Sequence, residues 1–187
     1  MNGDDNSLAH LPDKTLLRRA GDIRLLVLDV DGVLTDGTLW YGDQGEQMKA
    51  FNSLDGLGLA LLQREQIAVA LLSARDSAPL RQRAAELGIH HLMLGRHDKP
   101  AAWQTLLDAC GVTAAQAAYV GDDLLDLPVL RLAGLAVTVP NGHPALQQRC
   151  DWCTTRRGGA GAVREVCELI LAGHGRLEAI IQGYADG

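Results

Sequence analysis

The sequence predicts a three-layer α/β fold in which helices cover both faces of a mostly parallel, Rossmann-like sheet. Short apolar, strand-like runs alternate with helical stretches along most of the chain, which is typical of strand–helix–strand units. The first two runs, residues 23–28 and 67–72, are apolar throughout, as expected for strands that are covered on both faces. Residues 36–51 depart from this alternation and predict a small β-hairpin around a glycine-containing loop.

The predicted elements follow from the spacing of apolar residues. The strand candidates are residues 23–28, 67–72, 91–94, 118–121, 135–139 and 151–155. The predicted helices are residues 12–20, 56–65, 78–87, 100–110, 124–132, 144–149 and 162–172. The hairpin falls between the first strand and the next helix of the sheet, so we expect it to project from the carboxyl edge, where open α/β sheets bind ligands.

We expect a single domain, because the chain shows no repeats or low-complexity linkers and 47% of its 187 residues are hydrophobic. Residues 23–177 form the predicted domain, into which the hairpin 36–51 is inserted. Residues 1–22 are predicted to be an N-terminal extension with a short helix, and residues 178–187 a C-terminal tail.

The charge and composition argue against nucleic-acid and membrane partners. The formal net charge is −6, which opposes binding to nucleic acid or to an anionic membrane surface but not to a small anionic substrate. No apolar run approaches the ~20 residues of a transmembrane helix, and the polar N-terminus does not resemble a signal peptide. Cys150 and Cys153 have C-x-x-C spacing, but nothing completes a zinc site around them, so we expect reduced thiols in a cytoplasmic protein rather than metal or redox chemistry.

Acidic residues follow two of the predicted strands. Asp29 and Asp31 end the first apolar run, and Asp122, Asp123 and Asp126 follow a later one. Because parallel strands end at one edge of a sheet, we expect these carboxylates to converge. Carboxylates this close raise one another's pKa unless a cation lies between them. A set of oxygen ligands predicts that this cation is magnesium.

Groups that complement a phosphate follow other predicted strands. Ser73 and Arg75 come after the second strand, and Lys99 lies at a predicted helix start, where the helix dipole disfavours a cation unless an anion is nearby. Together with magnesium and the acids, they predict a phosphoryl-transfer site. One acid can attack phosphorus and form an aspartyl-phosphate, and another can protonate the leaving oxygen and then activate water. Taken singly, each residue is also compatible with a turn, a helix cap or a solvated surface.

The motifs resemble those of the haloacid dehalogenase superfamily of phosphatases. The first motif of that family, D-x-D-G-x-[LV]-[TS], is similar to residues 29–35. A serine or threonine after the second strand matches Ser73, and a lysine before a helix matches Lys99. The last motif, G-D-D-x-x-D, matches residues 121–126, and all four motifs occur in the order of the family.

The resemblance implies a role for each matched residue. Asp29 would be the nucleophile and Asp31 the general acid and base. Magnesium would be held by Asp29, by the backbone carbonyl of Asp31 and by Asp122. Ser73 and Lys99 would contact the transferring phosphoryl group. Two acids would have supporting positions, Asp123 and Asp126.

Within that superfamily, the chain resembles the 3-deoxy-D-manno-octulosonate 8-phosphate phosphatase family from about residue 23 to 177. The similarity is carried by the segments DVDGVLTDG, KAFNSLDGLG, AYVGDDLLDLPV and RRGGAGAVREVCELIL. It implies an enzyme of lipopolysaccharide precursor synthesis without a large cap domain, assembled as a homotetramer around a barrel of the hairpins 36–51. The glycine-rich segment 157–161 would reach a neighbouring active site, with an ordinary loop as the alternative. The residues implied to line or border the substrate are Gly32, Lys49, Asn52, Asp55, Gly56, Ala74, Arg75 and Arg157.

Departures from that family leave the exact substrate open. Ala74 stands where the family usually has glycine, and Leu54 and Ala160 stand where some relatives have arginine. A nine-carbon keto-acid 9-phosphate of the sialic-acid or KDN type, or another small phosphate ester, is therefore the alternative substrate. A receiver-like switch fits the order of the acids less well. A non-catalytic scaffold would be expected to have lost some of them.

Overall fold

Six parallel strands form the central sheet in the computed structural model, which describes residues 13–43 and 45–187. They are β1 (Leu25–Leu28), β4 (Ala68–Leu72), β5 (His91–Met93), β6 (Ala117–Gly121), β7 (Leu135–Thr138) and β8 (Trp152–Cys153). Their order across the sheet is β5-β4-β1-β6-β7-β8. Two further strands, β2 (Trp40–Gly42) and β3 (Gly45–Met48), form an antiparallel hairpin where the sequence predicts it.

Helices connect the strands and complete the three layers. They are α1 (Lys14–Gly21), α2 (Ser53–Arg64), α3 (Ala78–Glu86), α4 (Lys99–Cys110), α5 (Leu127–Leu130), α6 (Pro144–Gln147), α7 (Ala162–Gly173) and α8 (Leu177–Ala185). The predicted helix 124–132 is instead a 3-10 turn, Leu124–Asp126, followed by the short α5, and α8 occupies most of the predicted tail. No helix in the described ranges has the length and apolar character to cross a membrane.

The core lies on both faces of the sheet. Leu26 and Leu28 of β1 belong to the cluster that packs against α1, α2, α3 and α7, whereas Leu25 and Val27 belong to the cluster that packs against α4 and α5. All four are inaccessible to solvent. The continuous apolar run of β1 is therefore explained by its position between two helical layers, and the predicted three-layer fold is confirmed.

The carboxyl ends of β1, β4 and β6 lie level with one another. Leu28 pairs with Leu71 on one side and with Val120 on the other. The chain passes from β1 to β4 and β5 on one side of the sheet and then crosses to β6 on the opposite side of β1. The ends of β1 and β6 therefore form the topological switch point, where open α/β sheets bind their ligands.

Helix α1 is joined to the domain by close backbone packing. Leu16 and Ala20 of α1 lie in the core, so this part of the predicted N-terminal extension packs with the domain. A Cβ on Gly173 at the end of α7 would lie 2.5 Å from the backbone nitrogen of Gly21 and 2.7 Å from the carbonyl oxygen of Leu17. The two helices approach this closely because position 173 is glycine.

We expect Gly173→Ala to lower the free energy of unfolding by about 1–3 kcal/mol, because a methyl group there must displace backbone atoms of α1. Gly183→Ala is the matched control. Gly183 lies in α8 with no atom within 4 Å of its ideal Cβ, so alanine should leave stability unchanged or raise it by up to about 1 kcal/mol. Urea unfolding of both variants measures the difference, and equal midpoints would contradict this account of the α1–α7 contact.

Candidate active site

A buried lysine joins the ends of β1 and β6. Lys99, the first residue of α4, is 2% exposed, and its Nζ lies 3.0 Å from Asp29 Oδ2 and 2.6 Å from Asp126 Oδ1. An unpaired buried charge is very unfavourable, so the two carboxylates and the lysine stabilise one another. Although burial lowers the pKa of Lys99, the two carboxylates raise it above its usual value, and the lysine is charged. These anions explain a cation at the start of a helix.

Asp126 is fully occupied by protein donors. Its Oδ1 accepts hydrogen bonds from Lys99 Nζ and, at 2.7 Å, from the Tyr119 hydroxyl. Its Oδ2 accepts from the backbone N–H groups of Asp122 and Asp123, at 2.9 and 3.0 Å. Four donors fill the acceptor positions of a carboxylate. Asp126 therefore holds Lys99 and the turn after β6, and its oxygens are not free for a ligand.

The Asp122 carboxylate lies directly against the loop that follows β1. A Cβ on Gly32 would lie 1.9 Å from Asp122 Oδ2, so only glycine fits at position 32. Gly32 also has a φ of +87°, in the left-handed region that favours glycine. Glycine here lets three carboxylates converge, and oxygens of Asp29, Asp122 and Asp126 lie within 4.8 Å of one another.

The carboxylates of this cluster carry more negative charge than the lysine neutralises. Burial, followed by the charge of Asp126, raises the pKa of Asp29 to about 6, although Lys99 acts in the opposite direction. Burial, followed by the charges of Asp29 and Asp126, raises the pKa of Asp122 to about 7. Both shifts indicate that ionised carboxylates are unfavourable here without a further cation.

The donors at this position fit a hard divalent cation. Carboxylate and carbonyl oxygens are the ligands that magnesium prefers. Because Asp126 is occupied by protein donors, Asp29 and Asp122 are the side chains that could hold the metal. The backbone carbonyl of Asp31, two residues after Asp29, remains the predicted third protein ligand.

Two cations hold the side chain of Asp31. Lys49, whose side chain is fully buried, forms ion pairs with Asp31 Oδ1 and, at 2.6 Å, with Glu46 Oε1. Arg75 Nε lies 3.8 Å from Asp31 Oδ2, and Arg75 also donates a hydrogen bond of 2.9 Å to the Tyr41 hydroxyl. The hairpin thus reaches the site directly through Lys49 and indirectly through Tyr41. Asp31 is part-exposed, which is compatible with its predicted role as general acid and base.

Ser73 begins the turn after β4, at the same edge of the sheet. It is 1% exposed, its N–H donates to the Met93 carbonyl at 3.0 Å, and its Oγ accepts from the Arg75 N–H at 3.1 Å. Ala74 lies half-buried between Ser73 and Arg75. The predicted serine is therefore fixed by hydrogen bonds to β5 and within its own turn.

The glycine-rich segment 157–161 packs on the loop after β1 of the same chain. The Gly159 N–H donates to the Val33 carbonyl at 3.0 Å, and a Cβ on Gly158 would lie 1.8 Å from the Gly32 carbonyl oxygen. Only a glycine allows the two backbones to approach this closely. The segment is therefore part of the site within one chain, while its reach toward a neighbouring subunit stays a prediction.

Two further predicted residues lie beside this segment. Asn52 caps α2 by accepting the Leu54 N–H at 2.8 Å, and its Nδ2 donates to the Gly159 carbonyl at 3.3 Å. Hydrogen bonds from Thr38 lower the pKa of Asp36, and the charge of the exposed Arg157 makes a smaller contribution in the same direction, so Arg157 lies near the loop after β1. Leu54 is exposed, as is Ala160 in the glycine-rich segment.

Asp55 and Gly56, which are predicted to line or border the substrate, are packed between helices in the single chain. Asp55 is 1% exposed, and its Oδ1 accepts the backbone N–H of Arg164, in the first turn of α7, at 2.8 Å. A Cβ on Gly56 would lie 2.4 Å from the Arg83 guanidinium. The cavity that both residues border has a volume of about 10 Å³, which has room for one water molecule but not for a sugar acid.

Sequence reasoning missed two residues that organise the site. Tyr119 of β6 is buried and donates to Asp126; the only signal for it is a hydroxyl in an otherwise apolar strand. Asn141 follows β7, donates to the Gly32 carbonyl at 2.9 Å and accepts the Gly158 N–H at 2.7 Å. Its position just beyond a strand, at the carboxyl edge, was a usable signal.

The fold and the site together define a phosphoric monoester hydrolase of the haloacid dehalogenase type. An aspartate lies at the end of the central strand, a buried lysine faces it, and an acidic turn follows the neighbouring strand. The family model described as haloacid dehalogenase-like hydrolase matches residues 84–165.

Comparison with known proteins identifies the family to which the chain belongs within this class of hydrolases. The chain is 46% identical over 163 residues, 87% of each chain, to the 3-deoxy-D-manno-octulosonate 8-phosphate phosphatase KdsC of Yersinia pestis. The chain is also similar to the crystal structure of the Moraxella catarrhalis phosphatase of that name, which was solved in complex with magnesium, phosphate and KDO. The TM-score is 0.89, and the two chains are 42% identical over 92% of this chain and 99% of that one. The cobalt-bound phosphatase of Haemophilus influenzae gives a TM-score of 0.87 at 40% identity over 89% and 99%. The chain belongs to the 3-deoxy-D-manno-octulosonate 8-phosphate phosphatase family of haloacid dehalogenase-like hydrolases.

The raised pKa values of Asp29 and Asp122 predict that magnesium binding depends on pH. The cation needs both carboxylates ionised, so binding at or below pH 7 must release protons. As the pH falls from 8 to 6, we expect the dissociation constant for magnesium to rise on the order of tenfold, from pKa values of about 6 and about 7. Calorimetric titration at several pH values measures this. Asp122→Asn should weaken binding at pH 8 and flatten the pH profile, and a constant affinity in the unaltered protein would contradict the prediction.

Proposed function

We propose that this chain is a magnesium-dependent phosphatase that hydrolyses 3-deoxy-D-manno-octulosonate 8-phosphate to the free sugar acid and phosphate, in lipopolysaccharide precursor synthesis. The observation that carries the chemistry is the buried Asp29–Lys99–Asp126 network at the switch point, with Asp122 beside it. The substrate is supported by the relatives of that name, which match this chain over most of its length.

The chemistry follows from the position of each group. Asp29, ionised above its pKa of about 6, attacks phosphorus and forms an aspartyl-phosphate, while the sugar oxygen leaves. Asp31 protonates that oxygen and then removes a proton from the water that attacks the aspartyl-phosphate, releasing phosphate and regenerating Asp29. Ser73 and Lys99 bind the phosphoryl oxygens. Magnesium, held by Asp29, the Asp31 carbonyl and Asp122, would neutralise negative charge on the phosphoryl group.

Lys49 of the hairpin and Arg75 of the turn after β4 orient the Asp31 carboxylate. Lys49 and Arg75 contact the two oxygens of Asp31 from different segments, so the carboxylate is held toward the crevice rather than into the core. Asp123 caps the 3-10 turn that directly follows Asp122, by accepting the Leu124 N–H at 2.7 Å.

We further propose that four chains assemble through the hairpin 36–51. Trp40, Tyr41 and Met48 are 52%, 63% and 59% exposed in the single chain. Large apolar side chains grouped on a projecting sheet are typical of an interface. This assembly would place each hairpin, and with it Lys49, in a fixed position over the site.

We also propose that the enzyme acts in the cytoplasm. The four cysteines are free in the structure, and reduced thiols are typical of cytoplasmic proteins. Cys150 and Cys153 are half-buried, and burial, with the charge of Asp151, raises the pKa of Cys150 to about 12. A thiol of such high pKa is unreactive at neutral pH, which supports the interpretation without redox chemistry.

Phosphate release tests the proposed reaction. We expect magnesium-dependent hydrolysis of 3-deoxy-D-manno-octulosonate 8-phosphate in strong preference to a nine-carbon keto-acid 9-phosphate and to hexose phosphates. Asp29→Asn should lower kcat at least about 10,000-fold because the nucleophile is lost. Asp31→Asn should lower it roughly 100- to 10,000-fold and accumulate phosphoenzyme, because the second proton transfer fails.

The control for these variants is Asp108→Asn, which neutralises an exposed carboxylate of α4 and should leave kcat unchanged. Preference for the nine-carbon ester would keep the mechanism and assign the changed specificity to the pocket that contains Leu54 and Ala160. Full activity of Asp29→Asn would rule out the proposed chemistry.

Deleting residues 37–48 should convert the tetramer to smaller species in sedimentation, because it removes the apolar face formed by Trp40, Tyr41 and Met48. The double substitution Trp40→Ser with Met48→Ser should have the same effect without shortening the chain. Leu132→Ser, at an apolar side chain of similar exposure outside the hairpin, is the control and should leave assembly unchanged. A tetramer that survives the deletion would exclude a hairpin barrel.

A further inference from the structure

We propose that Asp55 is a positioning residue, whose buried carboxylate caps α7 and so holds the glycine-rich segment 157–161 against the loop that carries Asp31. The inference rests on the proposed function for its effect on the reaction, whereas the contacts that carry it belong to the fold.

Asp55 supplies to α7 the cap that the helix lacks. The residue before α7, Gly161, has no side chain that could accept a hydrogen bond from the first turn. Asp55 Oδ1, from the first turn of α2, instead accepts the N–H of Arg164, the third residue of α7, at 2.8 Å. This is the donor that a normal capping side chain would satisfy. A negative charge is also favoured at the N-terminus of a helix.

The residues just before the capped end of α7 contact the loop that carries Asp31. Gly161 lies two residues after Gly159, and both Gly158 and Gly159 lie against Gly32 and Val33 within backbone contact distance. Gly32 and Val33 directly follow Asp31 along the chain. A shift of the first turn of α7 would therefore move the segment that supports the acid.

The first turn of α2 holds the segment at two points. Asn52, at the N-cap of α2, donates to the Gly159 carbonyl, and Asp55, three residues later, accepts from α7. One helix thus binds both ends of the short connection between Gly159 and Arg164. Loss of Asp55 would leave the Asn52 contact of 3.3 Å as the remaining hydrogen bond from the start of α2 to this connection among the described residues.

The surroundings of Asp55 argue against direct contact with substrate. Its second oxygen, Oδ2, is buried and has no hydrogen-bond partner among the described residues. Asp55 lines the cavity of about 10 Å³ together with Arg83, whose buried Nε is also unpaired among those residues. Burial raises the pKa of Asp55, while the backbone N–H groups of Arg164, Gly161 and Val163 oppose this shift. The carboxylate is therefore directed at the helix end rather than at the crevice.

Two substrates separate a positioning role from substrate binding. Asp55→Ala and Asp55→Asn are compared on 3-deoxy-D-manno-octulosonate 8-phosphate and on p-nitrophenyl phosphate, a small ester without the sugar acid. We expect Asp55→Ala to lower kcat by about tenfold or more, by the same factor for both esters, with KM changed less than about threefold. Asp55→Asn should restore most of the activity, because its amide oxygen still accepts the Arg164 N–H.

The matched control is Asp13→Ala. Asp13 caps α1 in the same manner, by accepting the Thr15 N–H at 3.0 Å, but it is exposed, and its helix packs closely on the far end of α7, at Gly173. This variant should leave both reactions unchanged. A rise in KM for the sugar acid ester alone, or no loss in Asp55→Ala, would overturn the proposal.

Amide hydrogen exchange provides a readout that is independent of activity. We expect residues 157–165 to exchange faster in Asp55→Ala than in the unaltered protein or in Asp13→Ala, and unchanged exchange would overturn the proposal. Should Asp55→Ala fail to fold, Asp55→Ser, which keeps a polar group but is too short to reach α7, takes its place. If the unaltered protein hydrolyses only the small ester, the proposed substrate is wrong while the role of Asp55 is still tested on that ester.

Discussion

The site depends on one buried cation, Lys99, placed between carboxylates from two strands. Without it, Asp29, Asp122 and Asp126 would bring three negative charges together at an edge where water is largely excluded, and burial would force them to take up protons. The lysine also connects α4 to the ends of β1 and β6, so the ion pairs that stabilise the Asp29 and Asp126 carboxylates also fix the elements around them. Removing the lysine would therefore disturb both the fold and the chemistry at this point.

Lys99 neutralises only part of the negative charge of the carboxylates, and the charge that remains makes the site suitable for a divalent cation. Asp126 is satisfied by four donors, whereas Asp29 and Asp122 keep raised pKa values. A divalent cation would stabilise both as carboxylates, and a phosphate would then meet a metal, a lysine and a serine rather than bare acids. The same excess of negative charge thus makes the cluster unfavourable without a cation and gives it affinity for a metal.

Much of this arrangement could be predicted from the sequence, because parallel strands end at one edge. The order of Asp29, Ser73, Lys99 and Asp122 along the chain places each just beyond a strand or at a helix start, and topology then brings them together. The prediction of one helix over residues 124–132 was wrong for a local reason. The Asp126 side chain turns back onto the N–H groups of Asp122 and Asp123, which gives a 3-10 turn instead of a regular helix start.

Asp55 shows why the rest could not be predicted. The family resemblance implies that Asp55 lies near the substrate, but its partner Arg164 is 109 residues away, and this contact is set by the packing of α2 on α7. The role of the glycine-rich segment 157–161 is equally hard to predict from the sequence. A run of glycines is compatible with a mobile loop, and only the approach of Gly158 to the Gly32 carbonyl shows that these glycines permit contact between two backbones. Local sequence indicates which residue types stand at an edge, whereas the choice between binding a substrate and holding a neighbouring segment is made by contacts far apart in the chain.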